Sequence, residues 1–118
     1  MRDHTKLRAF KLADEIAVLT YQMTAAFPKE EMYGLTSQMR RAAVSVPSNI
    51  VEGCAREGEA DYLRFLSIAF ASLRELRYQV SLASRLGFLS DQDAGVATPK
   101  IMETEKVING LIRAIRHG

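Results

Sequence analysis

Apolar residues recur at steps of three and four along most of the chain, the spacing that places side chains on one face of an α-helix. The first such run predicts a helix from about Lys6 to Ala26, which Phe27 and Pro28 end. Its apolar positions are Ala9, Leu12, Ile16, Leu19, Met23 and Ala26. No stretch alternates apolar and polar residues with the period of two typical of strands, so the pattern indicates an all-α protein.

The second apolar run passes through a proline without losing its period. Between Leu35 and Cys54 the steps of three and four keep their register on both sides of Pro47. Pro47 cannot donate a hydrogen bond to the Ala43 carbonyl and crowds it, a defect of roughly 3 kcal/mol inside a helix. A segment that ended there would have no reason to stay in register, so we predict one kinked, continuous helix.

The ends of this second helix are predicted from its capping residues. We expect its first turn to be capped at Thr36 or by the neighbouring Leu35–Thr36 turn. The apolar pattern indicates an end at Arg56 or Glu57, with Gly58 as the C-terminal stop.

A third helix is predicted from about Ala60 to Leu86, with Gly87 in the left-handed stop position. Acidic Glu59 and Asp61 stand at its start, where they favour the positive end of the helix dipole. This interaction with the helix dipole explains the two acidic residues without a catalytic role.

The fourth helix is predicted to begin after Ser90, which forms a start like a capping box with Asp93 three residues later. Gly95 and Pro99 both weaken its first turns, so its start is the least defined of the four. Beyond Pro99 the apolar pattern resumes at Ile101, Val107 or Ile108, Leu111, Ile112 and Ile115.

Four helices of roughly 30–40 Å with short connections predict an antiparallel up-down-up-down bundle. The 118 residues suffice for a core, and we expect residues 1–118 to form a single domain.

Composition limits the function classes further. No segment approaches the ~20 uninterrupted apolar residues of a membrane-spanning helix, and the N-terminus lacks the apolar core of a secretory signal, so we expect a cytoplasmic protein without membrane contact. Cys54 is the single cysteine, which excludes an intrachain disulfide, and we interpret it as a small buried residue rather than a reactive thiol. The net charge of +2 is too small to indicate a nucleic-acid protein by itself.

Residues with catalytic chemistry are scarce. His4 and His117 lie at opposite ends of the chain, without carboxylate or cysteine neighbours at ligand or triad spacing. The Glu-x-x-His pairs of di-metal bundles and the glycine-rich phosphate loops are both missing from the sequence. We therefore predict no catalytic residue, no metal and no cofactor.

A polar stripe follows one side of the second helix. Its members, at steps of four, three, four and four, are Arg41, Ser45, Ser48, Glu52 and Arg56. Glu52 precedes Arg56 by four residues, the favourable order for an ion pair along a helix. One interpretation is a solvated face. In the other, small residues let a neighbouring helix approach closely and make Arg41, Asn49 and Glu52 buried hydrogen-bonding partners; these small residues are Ala42, Ala43, Ser45, Ser48 and Gly53.

The third helix has two apolar sides. The broad side, which belongs in the bundle, contains Tyr62, Leu66, Ala69, Leu73, Leu76, Val80 and Ala83. The second side contains Ile68, Ala71, Tyr78, Leu82 and Leu86. A small bundle buries only one side of a helix, so the second predicts self-association.

Arginines fill the remaining arc of the third helix: Arg64, Arg74, Arg77 and Arg85. They are candidates for phosphate or nucleic-acid binding, since several copies on an oligomer would present repeated basic patches to one polyanion. Interfacial ion pairing and a solvated edge are the alternatives.

Three segments resemble a known family: YGLTSQMRRAAVSVPSNIVEG from Tyr33, YLRFLSIAFASLREL from Tyr62 and LGFLS from Leu86. They are similar to the four-helix-bundle proteins encoded in intervening sequences of bacterial 23S ribosomal RNA genes, over roughly Phe10 to Ser90. The resemblance implies an antiparallel bundle assembled as a homopentameric ring. It also implies a relation to the accessory variability determinant of diversity-generating retroelements, which binds a reverse transcriptase and nucleic acid.

The family's Ser-Asn-x-x-Glu-Gly element corresponds to Ser48, Asn49, Glu52 and Gly53, and its following arginine to Arg56. Val51 stands where alanine is common in the family. With the stripe and the proline, the candidate motif or assembly residues are Arg41, Ser45, Pro47, Ser48, Asn49, Glu52, Gly53 and Arg56.

The expected function is a non-enzymatic homo-oligomeric scaffold associated with RNA, other nucleic acid or a ribonucleoprotein enzyme. The alternative is a protein-interaction or structural module whose arginines serve subunit contacts, without nucleic-acid binding. The small net charge departs from the basic character that the resemblance implies and argues against strong nucleic-acid binding.

Overall fold

The computed structural model describes residues 2–118, most of which lie in four long helices. These helices are α1 (Arg8–Thr24), α2 (Leu35–Cys54), α3 (Glu59–Arg85) and α4 (Asp91–His117). Short 3-10 turns at His4–Lys6 and Lys29–Glu31 precede α1 and α2. No strand occurs in residues 2–118, and the predicted all-α class is confirmed.

Each helix packs against two others. The helix α1 contacts α2 and α4, and α3 contacts the same two helices from the other side. Their apolar stripes meet in one shared core whose largest fully buried side chains include Ile16, Met39, Ile50, Leu66, Leu73, Leu76, Ile101 and Ile108. All seven residues predicted for the inner side of α3 are buried, so the period of 3.6 identified that side correctly.

The proline of the second apolar run does not end its helix. Pro47 is buried within α2, which continues for seven more residues to Cys54. The continuous helix predicted from the apolar register is therefore confirmed. Its stability comes from the buried stripe on both sides of Pro47, because tertiary packing outweighs a local backbone defect.

The start of α2 differs from the prediction. Thr36 lies inside the first turn, and the N-cap residue is Gly34. Gly34 has no side chain to accept a hydrogen bond, and Glu31 takes this role: its Oε1 accepts from the backbone N–H of Leu35 at 3.1 Å. The prediction of a Thr36 cap was wrong because the capping carboxylate comes from the preceding 3-10 turn.

The end of α2 also lies earlier in the chain than the apolar pattern predicts. The helix ends at Cys54 rather than at Arg56 or Glu57. Gly58 is not a left-handed stop: its φ of −76° is ordinary, and it is the N-cap residue of α3. The N-terminal segment closes α2 instead, since the backbone N–H of Arg2 donates to the Cys54 carbonyl at 3.0 Å.

The ends of α1, α3 and α4 agree more closely with the prediction from the sequence. The helix α1 is shorter by two residues at each end than predicted, and Lys6 belongs to the 3-10 turn before it. Gly87 has a φ of 79°, the left-handed conformation predicted after α3. Ser90 Oγ accepts from the Asp93 N–H at 3.1 Å, so α4 begins at Asp91 and includes Pro99. Within residues 2–118, no helix is both long and apolar enough to cross a membrane.

Candidate functional site

The polar stripe of α2 lies beside α3, and its first half forms cross-helix hydrogen bonds. Arg41 pairs with Glu75 at 2.9 Å, and the Ser45 and Ser72 hydroxyls are 2.9 Å apart. The Asn49 side-chain amide donates to the Ser45 carbonyl at 2.7 Å and to the Ser45 hydroxyl at 2.9 Å. The Arg41 and Ser45 contacts join α2 to α3, whereas the two Asn49 bonds lie within α2.

The second half of the stripe does not form the predicted ion pair. Arg56 lies beyond the end of α2, and its guanidinium stacks over the Phe65 ring at 5.0 Å instead of pairing with Glu52. Ser48 and Glu52 are exposed, Asn49 is half-buried and Arg41 is exposed. The prediction that Arg41, Asn49 and Glu52 are buried partners is therefore wrong for the single chain, where this side of α2 faces outward.

Gly53 allows α2 to pack closely against α3. A Cβ atom at this position would lie 2.9 Å from Phe65 Cβ and 3.2 Å from Tyr62 Cδ1, too close for van der Waals contact. The small residue is needed because the rigid start of the Phe65 side chain occupies the space. The sequence prediction that small residues on α2 admit another helix holds at Gly53, and the helix is α3 of the same chain.

The four arginines of α3 do not form one patch. Arg74 and Arg77 approach the largely buried Glu105 of α4, with Nε–Oε2 distances of 3.8 and 3.3 Å. Arg64 and Arg85 lie near opposite ends of α3, roughly 30 Å apart along the helix. The central pair thus has a structural partner that the sequence did not reveal, since Glu105 lies in another helix.

Arg64 and Arg85, the arginines near the two ends of α3, are exposed, as is Arg74, whereas Arg77 is half-buried. Arg64 is 3.5 Å from Asp61 and stacks over Phe65, and Arg85 donates to the Ser81 carbonyl at 3.3 Å. All of these partners lie on α3 itself. Both guanidinium groups remain open to solvent, where pairing contributes little to stability.

The second apolar side of α3 is largely uncovered. Ile68, Tyr78 and Leu86 are exposed to 38%, 60% and 53%, and Ala71 is also exposed. Leu82 differs, because it is half-buried and packs against the core. The uncovered part, which we call the outer side of α3, is thus formed by Ile68, Ala71, Tyr78 and Leu86.

An open groove of about 720 Å³ lies between α1, the loop before α2, and α2 itself. We call it the α1–α2 groove; it is lined by Tyr21, Met32, Tyr33, Thr36, Ser37, Arg40, Arg41, Val44, Ser45, Ser48 and Asn49. The Arg40 guanidinium stacks over the Tyr21 ring at 4.6 Å, and its Nε donates to Thr24 Oγ1 at 2.8 Å. Sequence reasoning missed this groove, because only tertiary packing brings Tyr21 of α1 to Arg40 of α2.

The single cysteine, the last residue of α2 before the turn into α3, is buried as predicted. Burial raises the pKa of the Cys54 thiol, so little reactive thiolate forms near neutral pH. Burial also raises the pKa of the neighbouring Tyr62 to about 12. Arg2 covers this turn, with its guanidinium 4.0 Å from the centre of the Tyr62 ring.

Comparisons with known proteins address the fold and the family. A crystal structure of a protein with unknown function from the S23 ribosomal protein family of Bacteroides thetaiotaomicron matches with a TM-score of 0.79. The two chains are 20% identical, and the match covers 88% of this chain and 97% of that one, which supports the fold alone. A search of curated proteins found no match. The model of the family described as 23S rRNA-intervening sequence protein matches residues 5–110, and the chain therefore belongs to this family.

Proposed function

We propose that this protein is a non-enzymatic scaffold that assembles into a homo-oligomer through the outer side of α3. The observation that carries the proposal is the exposure of Ile68, Tyr78 and Leu86 along one helix whose opposite side is already buried in the bundle. Large apolar side chains grouped in this way mark interaction surfaces. A homopentameric ring is the assembly that the family resemblance implies.

The proposed subunit is an antiparallel up-down-up-down bundle. Three sets of contacts support alternating helix directions, since rising numbers on one helix meet falling numbers on the next. They are Arg41–Glu75 with Ser45–Ser72 for α2 and α3, Arg77–Glu105 with Ser84–Asp91 for α3 and α4, and Arg8–Glu103 with Glu15–Lys100 for α1 and α4. Such bundles place their loops at the two ends and leave the helix sides for assembly.

The non-enzymatic part of the proposal rests on the residue types and their places. His4 packs against Phe10 in a T-shaped contact, with ring centroids 4.7 Å apart, and His117 ends α4. The one thiol is buried and holds its proton. These groups offer no nucleophile–base pair of the kind that covalent catalysis needs.

Nucleic acid is the proposed partner of the assembled scaffold, and a protein partner is the alternative. Arg64 and Arg85 support nucleic-acid binding because both are open to solvent in the single chain, where Arg85 lies over the Tyr78 ring of the outer side of α3. Arg74 and Arg77 support the alternative, in which arginines serve structural contacts, because Glu105 partly neutralises them. Repetition around a ring would strengthen binding to one polyanion without any new contact.

Light scattering during size exclusion at low salt tests this proposal, with the ultraviolet spectrum recorded across the peak. We expect a particle several times the subunit mass of 13.2 kDa. The chain has no tryptophan, so co-purifying nucleic acid would dominate the spectrum and would be released by high salt. A monomer would contradict the scaffold, and an assembled particle that binds no added RNA would support the protein-interaction alternative.

Replacing Arg74, Arg77 and Arg85 by glutamine separates the two arginine roles. If these residues bind nucleic acid, the variant keeps its assembled mass and loses affinity for a polyanion. If they serve subunit contacts, the particle dissociates, and the fraction that stays assembled binds as the unaltered protein does.

A further inference from the structure

We infer that the α1–α2 groove binds single-stranded nucleic acid, with Tyr33 as a stacking platform and Arg40 and Arg41 as phosphate partners. The inference rests on the nucleic-acid part of the proposed function and adds a contact site that is separate from the arginines of α3. Four features of the groove carry it: its exposed aromatic rings, its charge, its hydrogen-bonding side chains and its open shape.

The aromatic feature is the clearest. Tyr33 is 96% exposed, so its ring contributes almost no packing to the fold. Tyr21 faces the same groove and is partly exposed beneath the Arg40 guanidinium. Exposed tyrosines beside arginines are the side chains on which unpaired bases stack, and such stacking accepts any base.

The charge of the groove favours an anionic ligand. Two guanidinium groups line it, and none of its lining side chains is acidic. Arg40 is held in place by Thr24 and by the Tyr21 ring, which leaves its terminal nitrogens available. Arg41 is paired with Glu75, but both side chains are solvent-exposed, so a phosphate can replace this carboxylate at small cost.

Hydroxyl and amide groups complete the lining and suit a strand with many acceptors. Ser37 and Ser48 are exposed about three turns apart on α2, and the Asn49 amide already donates a hydrogen bond to the Ser45 hydroxyl. The groove is open to solvent and has the volume of a small-ligand cleft, which admits part of an extended strand. A duplex would hide the base faces that Tyr33 needs, so we expect a preference for single strands.

Fluorescence anisotropy with a labelled oligothymidylate at low salt tests the inference. Because Tyr33 is exposed, Tyr33→Ser leaves the fold intact, and we expect it to weaken binding about tenfold, the effect of losing one stacked base. Tyr33→Phe keeps the ring and should bind within about twofold of the unaltered protein. Arg41→Gln should weaken binding more than Arg113→Gln, which removes the same charge from an exposed position of α4.

Each other outcome overturns a defined part of the account. If Tyr33→Ser binds like the unaltered protein while Arg64→Gln with Arg85→Gln does not bind, the groove is wrong and the nucleic-acid scaffold stands. If the unaltered protein binds neither single-stranded nor duplex nucleic acid, both the groove site and the nucleic-acid scaffold are wrong. Equal competition by polyglutamate would identify an acidic protein segment as the ligand, and dissociation of the particle by Tyr33→Ser would identify the groove as a subunit contact; either result overturns the inference.

Discussion

The two sides of α3 are both apolar but differ in what covers them. On the inner side, Leu66, Leu73 and Leu76 are completely buried between α2 and α4. On the outer side, Ile68 and Tyr78 are exposed although they belong to the same helix. The difference indicates that burial of the inner side stabilises the single chain, whereas the outer side adds nothing comparable to that stability.

The largest expected effect comes from truncating the inner side. Leu73→Ala removes a fully buried side chain and should lower the free energy of unfolding by about 2–5 kcal/mol, measured by urea denaturation. Ile68→Ala, the matched change on the outer side, should cost under about 1 kcal/mol at concentrations where the particle is dissociated. Equal costs at both positions would contradict the distinction between the two sides.

A somewhat smaller effect is expected where α2 meets the start of the inner side. Gly53→Ala places a Cβ against Phe65 and should lower the free energy of unfolding by about 1–3 kcal/mol. Gly110→Ala in α4 is the control, because nothing lies within 4 Å of its Cβ position. The control should gain about 0.5–1 kcal/mol from the better helix propensity of alanine. A gain at both positions would show that α2 and α3 can separate freely.

Pro47 is buried in α2, the helix that also carries the polar stripe. Pro47→Ala restores the hydrogen bond to the Ala43 carbonyl, whose loss costs up to about 3 kcal/mol, and leaves a small gap in the core. We expect the stability of the dissociated subunit to stay the same or rise slightly. If the proline sets the direction of the stripe, the particle mass should fall in light scattering; an unchanged mass would exclude this role.

The smallest expected effect is the change in stability at high pH that comes from Tyr62, the first residue of the inner side. An unfolded tyrosine loses its proton near pH 10, whereas burial raises the pKa of Tyr62 to about 12 in the folded chain. The contribution of protonated Tyr62 to the free energy of unfolding is therefore complete below pH 10 and is lost as the pH rises towards about 12. Between pH 10 and about pH 12, the free energy of unfolding should fall less steeply with pH for Tyr62→Phe than for Tyr33→Phe, which changes an exposed position. Identical alkaline curves for the two variants would contradict the burial of the phenol.

The sequence predicted the helices because their apolar stripes are long and regular. Even Pro47 was placed inside a helix, since a stripe that keeps register over twenty residues is a stronger signal than one breaking residue. The ends of α2 were predicted less well. The groups that close it, Glu31 at the start and Arg2 at the end, reach it from other segments, and no local pattern records such contacts.

The candidate site was predicted only where it depends on one helix. The outer side of α3 follows from the period of that helix, and four of the five predicted members are exposed, although Leu82 packs against the core. The Glu105 partner of Arg77 and the α1–α2 groove require the packing of two helices. A single sequence does not state which positions of α1 meet which positions of α2.

The central claim, assembly through the outer side of α3, is tested most directly by comparing particle masses. Light scattering should be measured on the unaltered protein and on the double variant Ile68→Ser with Tyr78→Ser, both of which keep the inner side intact. We predict a particle several times 13.2 kDa for the unaltered protein and a folded, helical monomer for the variant. A monomeric unaltered protein, or a variant that keeps the full particle mass, would contradict the claim.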